Sequence, residues 1–151
     1  MAEVNTTQGA KLLSNKKLLP AESFGRVRIL ASKMPATYAQ LAINDTIFIG
    51  RITKGSRILL SNNLSTAAGT ASGTMDIGLR KTSDGTVIDA DGIAAAIDVA
   101  AAGNKAANNG ALIANGAEYI TAEEVDVYAT VKGAVLPANT PLKFEIQYVQ
   151  D

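Results

Sequence analysis

The hydrophobic pattern changes character at residue 24. Before it, "SNKKLLPAES" and its neighbours follow neither a period of two nor one of 3.6, and residues 1–23 read as an arm rather than a core element. From Phe24 onward, apolar and polar positions alternate. In "FGRVRILAS" Phe24, Arg26 and Arg28 fall on one parity and Val27, Ile29 and Ala31 on the other, the mark of a half-buried strand. "DTIFIGRI" (45–52) is β-branched and aromatic, and "TKG" supplies a turn at Gly55. "SRILLSNNL" (56–64) reads as a further strand running into the small, turn-prone "STAAGTASG". In "TMDIGLRK" (74–81) Met75, Ile77 and Leu79 share a face, and "SDGT" after it predicts a hairpin turn, since Asp-Gly accepts positive φ. "EVDVYATVKG" places Val125, Val127, Ala129 and Val131 together, and "LKFEIQYVQ" places Leu142, Phe144, Ile146 and Tyr148 opposite Lys143, Glu145 and Gln147.

One segment reads as helix. "IAAAIDVAAAG" (93–103) sets Ile93 and Ile97 four apart in an alanine-rich run, with Asp91 upstream as an N-cap and Gly103 to end it. "NKAANNGALIANGAE" (104–118) reads as loop. The whole predicts six or seven short strands with one short helix: an all-β, single-domain antiparallel sandwich or barrel over 24–151, preceded by the arm. The stretch at the chain's start has no apolar run of signal-peptide length, and no stretch nears the ~18 apolar residues of a membrane helix, so the expectation is a soluble chain without an export signal.

Composition narrows the chemistry. The 151 residues contain no Cys and no His, which removes disulfides, zinc–thiolate sites, cysteine nucleophiles and any Ser-His-Asp triad. An enzyme would have to work through carboxylates, Lys or Tyr. The acid-rich "SDGTVIDADGIAAAIDV" (83–99) holds the densest group of carboxylates for such chemistry. Aligned as an EF-hand with Gly92 at position 6, it puts Asp89 and Asp91 at positions 3 and 5 but Val87 at position 1, and Asp98 in place of the bidentate Glu. The match fails at the first ligand, and turn and cap roles explain these residues better. Asp89 with Asp91, or Glu123 with Glu124, could form a glycosidase pair, yet there is no Trp to stack on a sugar. "GTASG" (69–73) lacks the Lys-Ser/Thr ending of a phosphate loop. No catalytic, metal or cofactor residue is nominated.

Net charge is zero but unevenly placed. Residues 1–81 hold eleven Lys and Arg against four acids, and residues 82–151 hold three against ten. Such asymmetry marks a partner surface or a self-complementary one, unless strands from both halves interleave and mix the charges. The basic group Lys11, Lys16, Lys17, Arg26 and Arg28 is the candidate contact set. No aromatic residue interleaves its lysines, and the chain has no basic excess, so the partner expected is protein rather than nucleic acid, with plain solvation of these charges as the alternative.

The order of segments resembles the capsid decoration, or cement, proteins of tailed bacteriophages. The resemblance runs over residues 4–151. It is carried by "VNTTQGAKLL" before "GRVRIL", then "NDTIFIGRITKGSRIL", "GTMDIGL", "DGTVIDADGIAAAIDV" and a terminal "EIQYVQD". It implies a β-sandwich of jelly-roll type and a homotrimer on the outer surface of the assembled head, where it bridges major capsid protein subunits. It implies no catalysis, no cofactor, and no nucleic-acid, membrane or small-molecule partner. A head-fibre or tail-associated role and a carbohydrate-binding adhesive sandwich are the alternatives.

Overall fold

The computed structural model describes residues 10–11, 13–17, 25–114 and 119–150. The expected arm over 1–23 lies largely outside these residues, as does Phe24. The rest forms two antiparallel sheets packed into a sandwich. The strands are β1 (Arg26–Lys33), β2 (Thr46–Ile52), β3 (Arg57–Ile58), β4 (Asn63–Thr66), β5 (Thr74–Lys81), β6 (Val87–Asp98), β7 (Gly103–Ala106), β8 (Val125–Lys132) and β9 (Leu142–Gln150), and a short helix, α1 (Ala111–Ala114), lies between β7 and β8. The first sheet runs β1-β9-β4-β7, with β3 also pairing β9, and the second runs β2-β8-β5-β6.

The alternating segments supply the core. Phe144 and Ile146 of β9, with Leu64 of β4, meet Met75, Ile77 and Leu79 of β5 and Val125, Val127 and Ala129 of β8, all buried. At about 25 cal/mol per Å² of apolar surface removed from water, this shared interior is the main force holding the sheets together. The 83–86 turn forms as the Asp-Gly pair predicts. Gly85 sits at φ 74°, the Lys81 N–H donates to the Thr86 carbonyl at 2.8 Å, and the Asp84 carboxylate accepts from the Thr86 N–H at 2.9 Å.

Three expectations change. The "SRILLSNNL" strand is split into β3 and β4. Between them the Asn62 side chain does the work of a ladder, donating to the Leu59 carbonyl at 2.7 Å and accepting from the Gln147 N–H at 2.8 Å. The segment 93–103 is not helix. Residues 93–98 continue β6 and pair with β5, while Gly103, at φ 134°, starts β7. The hairpin turn zips β6 along β5, and this tertiary pairing overrides the helix preference of alanine. The apparent helical spacing comes from bulges. Ile77 faces Ala94 and Met75 faces Ile97, so one residue of β5 opposes Ala95 and Ala96, and Ala96 takes φ 50° with its N–H on the Asp76 carboxylate at 2.7 Å. Asp91 is accordingly no N-cap. The expected loop 104–118 holds most of β7 and all of α1, whose Ile113 is buried in the core.

The register of β1 decides which of its two faces is buried. Leu30 pairs with Ile146, Ser32 with Phe144 and Arg28 with Tyr148. Residues directly opposite share a face. Because β9 turns Phe144 and Ile146 inward, Leu30 also turns inward, against Gly50 of β2. The aliphatic parity Val27, Ile29 and Ala31 therefore lies on the outer face.

Candidate interaction surface

Over β8 the outer face of the second sheet is covered by the chain itself. On β8 even the outward residues Asp126, Tyr128 and Thr130 are buried. Two devices cover them. Between Ile77 and Leu79, the single residue Gly78 opposes residues 90–93 of β6, which arch over it. A Cβ at Gly78 would lie 2.3 Å from the Asp89 and Ala90 carbonyl oxygens, so only glycine admits the arch. Beside it lies a charged cluster. Asp126 accepts from Arg51 Nε and Thr82 Oγ1, both at 2.8 Å, and Arg80 Nε stands 3.8 Å from its second oxygen. The Arg80 guanidinium lies 5.2 Å from the Tyr128 ring centroid. Burial alone would push the Asp126 carboxyl up. The hydrogen bonds from Arg51 and Thr82, with the charges of Arg51 and Arg80, outweigh it and hold the group below the usual carboxylate range.

The acids considered for chemistry have structural partners. Glu123 pairs with Lys81 at 2.9 Å and Glu124 with Arg51 at 3.6 Å. Asp98 accepts from the Ala100 N–H at 2.8 Å and faces Lys105 at 3.7 Å. Asp89 accepts from the Asp91 N–H at 3.2 Å, and its carboxyl is pushed up by burial and by the Asp91 carboxyl. Among the described residues no group of three acids is placed to hold a metal ion, and no helix is long and apolar enough to cross a membrane. The 69–73 glycines make a tight turn, with the Gly69 N–H donating to the Val99 carbonyl at 3.1 Å and the Gly73 N–H to the Thr70 carbonyl at 2.9 Å.

The outer face of the first sheet is open. Lys143, Glu145, Asn63, Ser65 and Asn104 line a shallow groove of about 340 Å³ across β9, β4 and β7. At the β1 edge the groove gives way to Val27 and Ile29, 58% and 59% exposed. Of the candidate contacts, Arg26 and Arg28 lie exposed in β1, on the opposite parity from Val27 and Ile29. Lys16 and Lys17 are exposed and Lys11 is partly covered. Sequence reasoning missed the aliphatic pair, because the face of β1 is decided by its register with β9 and not by its own alternation. It also missed Phe48, 54% exposed beside Tyr128 on the second sheet's outer face.

No protein-family model matches the chain, and no curated protein matches its sequence. Solved structures do match its fold. A chain in the capsid of Ralstonia phage GP4 aligns with a TM-score of 0.66 at 17% identity, over 84% of this chain and 86% of that one. A chain in the Cyanophage Pam1 capsid asymmetric unit aligns with a TM-score of 0.58 at 12% identity, over 100% of both. The likeness is one of fold: the whole antiparallel sandwich has counterparts in chains found in phage capsids.

Proposed function

We propose that the protein is a structural component of a bacteriophage virion that binds the outer surface of the assembled head and stabilises it by bridging major capsid protein subunits. The observation that carries this reading is the end-to-end fold likeness to a chain of one phage capsid, repeated over most of a chain of another. The strand order supports the jelly-roll form of the sandwich. Leaving β3 aside, the eight remaining strands divide into β1-β9-β4-β7 and β2-β8-β5-β6, with six of the seven connections between successive strands crossing from one sheet to the other. The ion pairs of Glu123 and Glu124 and the open first sheet favour docking over catalysis.

In this reading the protein acts by mass action. A ligand that binds only the assembled shell stabilises it in proportion to occupancy, and a homotrimer adds avidity because one seated subunit concentrates the others. The arm over residues 1–23, carrying Lys11, Lys16 and Lys17, and the neighbouring Arg26 and Arg28 form the contact to the capsid or to an adjoining copy. The test is co-sedimentation of purified protein with undecorated expanded heads and with the unexpanded precursor. Saturable binding at a fixed ratio to the shell subunit, on expanded heads alone, is the expected outcome. Binding to neither form would remove the proposal. Deleting residues 1–23 should abolish this binding while leaving the thermal melt of the sandwich unchanged, and retained binding would take the arm out of the contact.

A further inference from the structure

Two corners of the sandwich combine exposed aliphatic side chains with an excess of one charge, basic at β1 (where Glu145 stands opposite Ala31) and acidic at β6 (where Arg80 stands opposite Val87). At the β1 corner, Val27 and Ile29 stand on the outer face of the first sheet, with Lys33 further along the same parity and Arg26 adjacent. No acid occurs anywhere in residues 23–44. At the β6 corner, Val87 is 55% exposed opposite Arg80, and Ile88 beside it is also exposed. Asp84, Asp89 and Asp91 flank this pair, and no Lys or Arg occurs in residues 82–104. The two corners lie far apart in the strand order: β1 ends the first sheet on the side of β2, and β6 ends the second on the side of β7.

Single exposed aliphatic residues are ordinary, but adjacent ones on edge strands mark contact surfaces, because edge strands are normally kept polar. Neither corner suits itself: two β1 corners would bring cations together, and two β6 corners would bring carboxylates together. Each suits the other. We propose that the protein self-associates head to tail, the basic aliphatic corner at β1 of one copy seating against the acidic aliphatic corner at β6 of the next. Such a contact is heterologous and closes into a ring when its rotation allows. Side chains make it along the Val87 end of β6, since further along the same edge Gly110 and Asn109 occupy the backbone of Ile93 and Ala95.

The proposal deepens the oligomer in the reading above, yet it is tested on the purified full-length chain alone, so its failure leaves head binding untouched. Sedimentation velocity should show wild-type oligomers, with Ile29→Asp and Val87→Asp each reduced to monomer by an affinity loss of roughly thirtyfold or more. Mixing the two variants should then restore a one-to-one pair and nothing larger, because each keeps the corner the other has lost. Far-ultraviolet spectra and melts matching wild type exclude misfolding, and Ile29→Ser and Val87→Ser serve if an aspartate variant fails that check. Raising the ionic strength should weaken wild-type association by about tenfold. A monomeric wild type, a Val87→Asp protein that associates as well as wild type, a mixture that stays monomeric, or association indifferent to salt would each overturn the proposal.

Discussion

β8, eight residues long, and β9, nine residues long, are both interior strands of their sheets, and they are treated oppositely. β9 alternates between a buried inner face and an exposed Lys143 and Glu145, whereas β8 is buried on both faces from Val125 to Val131. The difference does not lie in the inner residues, which are comparably apolar. It lies in what the chain spends on the outside: the β6 arch over Gly78 and the Asp126 cluster cover β8, and nothing equivalent among the described residues covers the Lys143–Glu145 side of β9. A sheet face finished by its own chain is a structural face. One left open is available to others.

That contrast can be broken by substitution. The largest effect is expected at Gly78. Gly78→Val forces the 89–90 backbone off the sheet and should cost about 3 kcal/mol, read as a lowered thermal midpoint, whereas Ser65→Val on the open face should change it little. Next comes Asp126→Ala, which strips the buried acceptor shared by Arg51 and Thr82 and should cost about 1–3 kcal/mol. Glu145→Ala on the exposed side of β9 should stay within about 0.5 kcal/mol.

Acid titration sharpens the same comparison. The Asp126 carboxyl has its folded pKa depressed, so its stabilisation is fully present above the ordinary value of 3.8 and is lost as pH falls through the lower folded value. Denaturant midpoints of wild type and Asp126→Asn should therefore differ at neutral pH and converge in strong acid. The smallest effect is expected at Asp89. Its pKa is raised, so its contribution is fully favourable below 3.8 and is lost as pH rises through the folded value. Asp89→Asn keeps an acceptor for the Asp91 N–H and should be slightly more stable than wild type at pH 7, a gain that disappears toward pH 3.

Much of the sandwich was legible because its strands obey local rules. The faces of β5, β8 and β9 follow from alternation, and the 83–86 turn follows from Asp-Gly. What was not legible depends on pairing. Ile93 and Ile97 look helical because a bulge shifts the inward positions of β6, and a bulge exists only relative to the partner strand. The buried face of β1 is undecided until the register places Leu30 opposite Ile146. The division between β3 and β4 depends on the Asn62 amide reaching Gln147, 85 residues away. At the candidate surface, the basic residues could be read off the chain, but the exposed Val27, Ile29 and Phe48 could not, since exposure is a property of neighbours.

The Asn109 side chain brings out one last consequence. Its amide donates to the Ala95 carbonyl at 2.8 Å and accepts from the Ala95 N–H at 2.9 Å. It thus answers the peptide group of β6 as a neighbouring strand would, and it is followed by a turn of helix that carries no strand geometry onward. A growing fibril finds no template at that position. The β6 edge is thus shielded at Ala95 from the addition of a foreign strand.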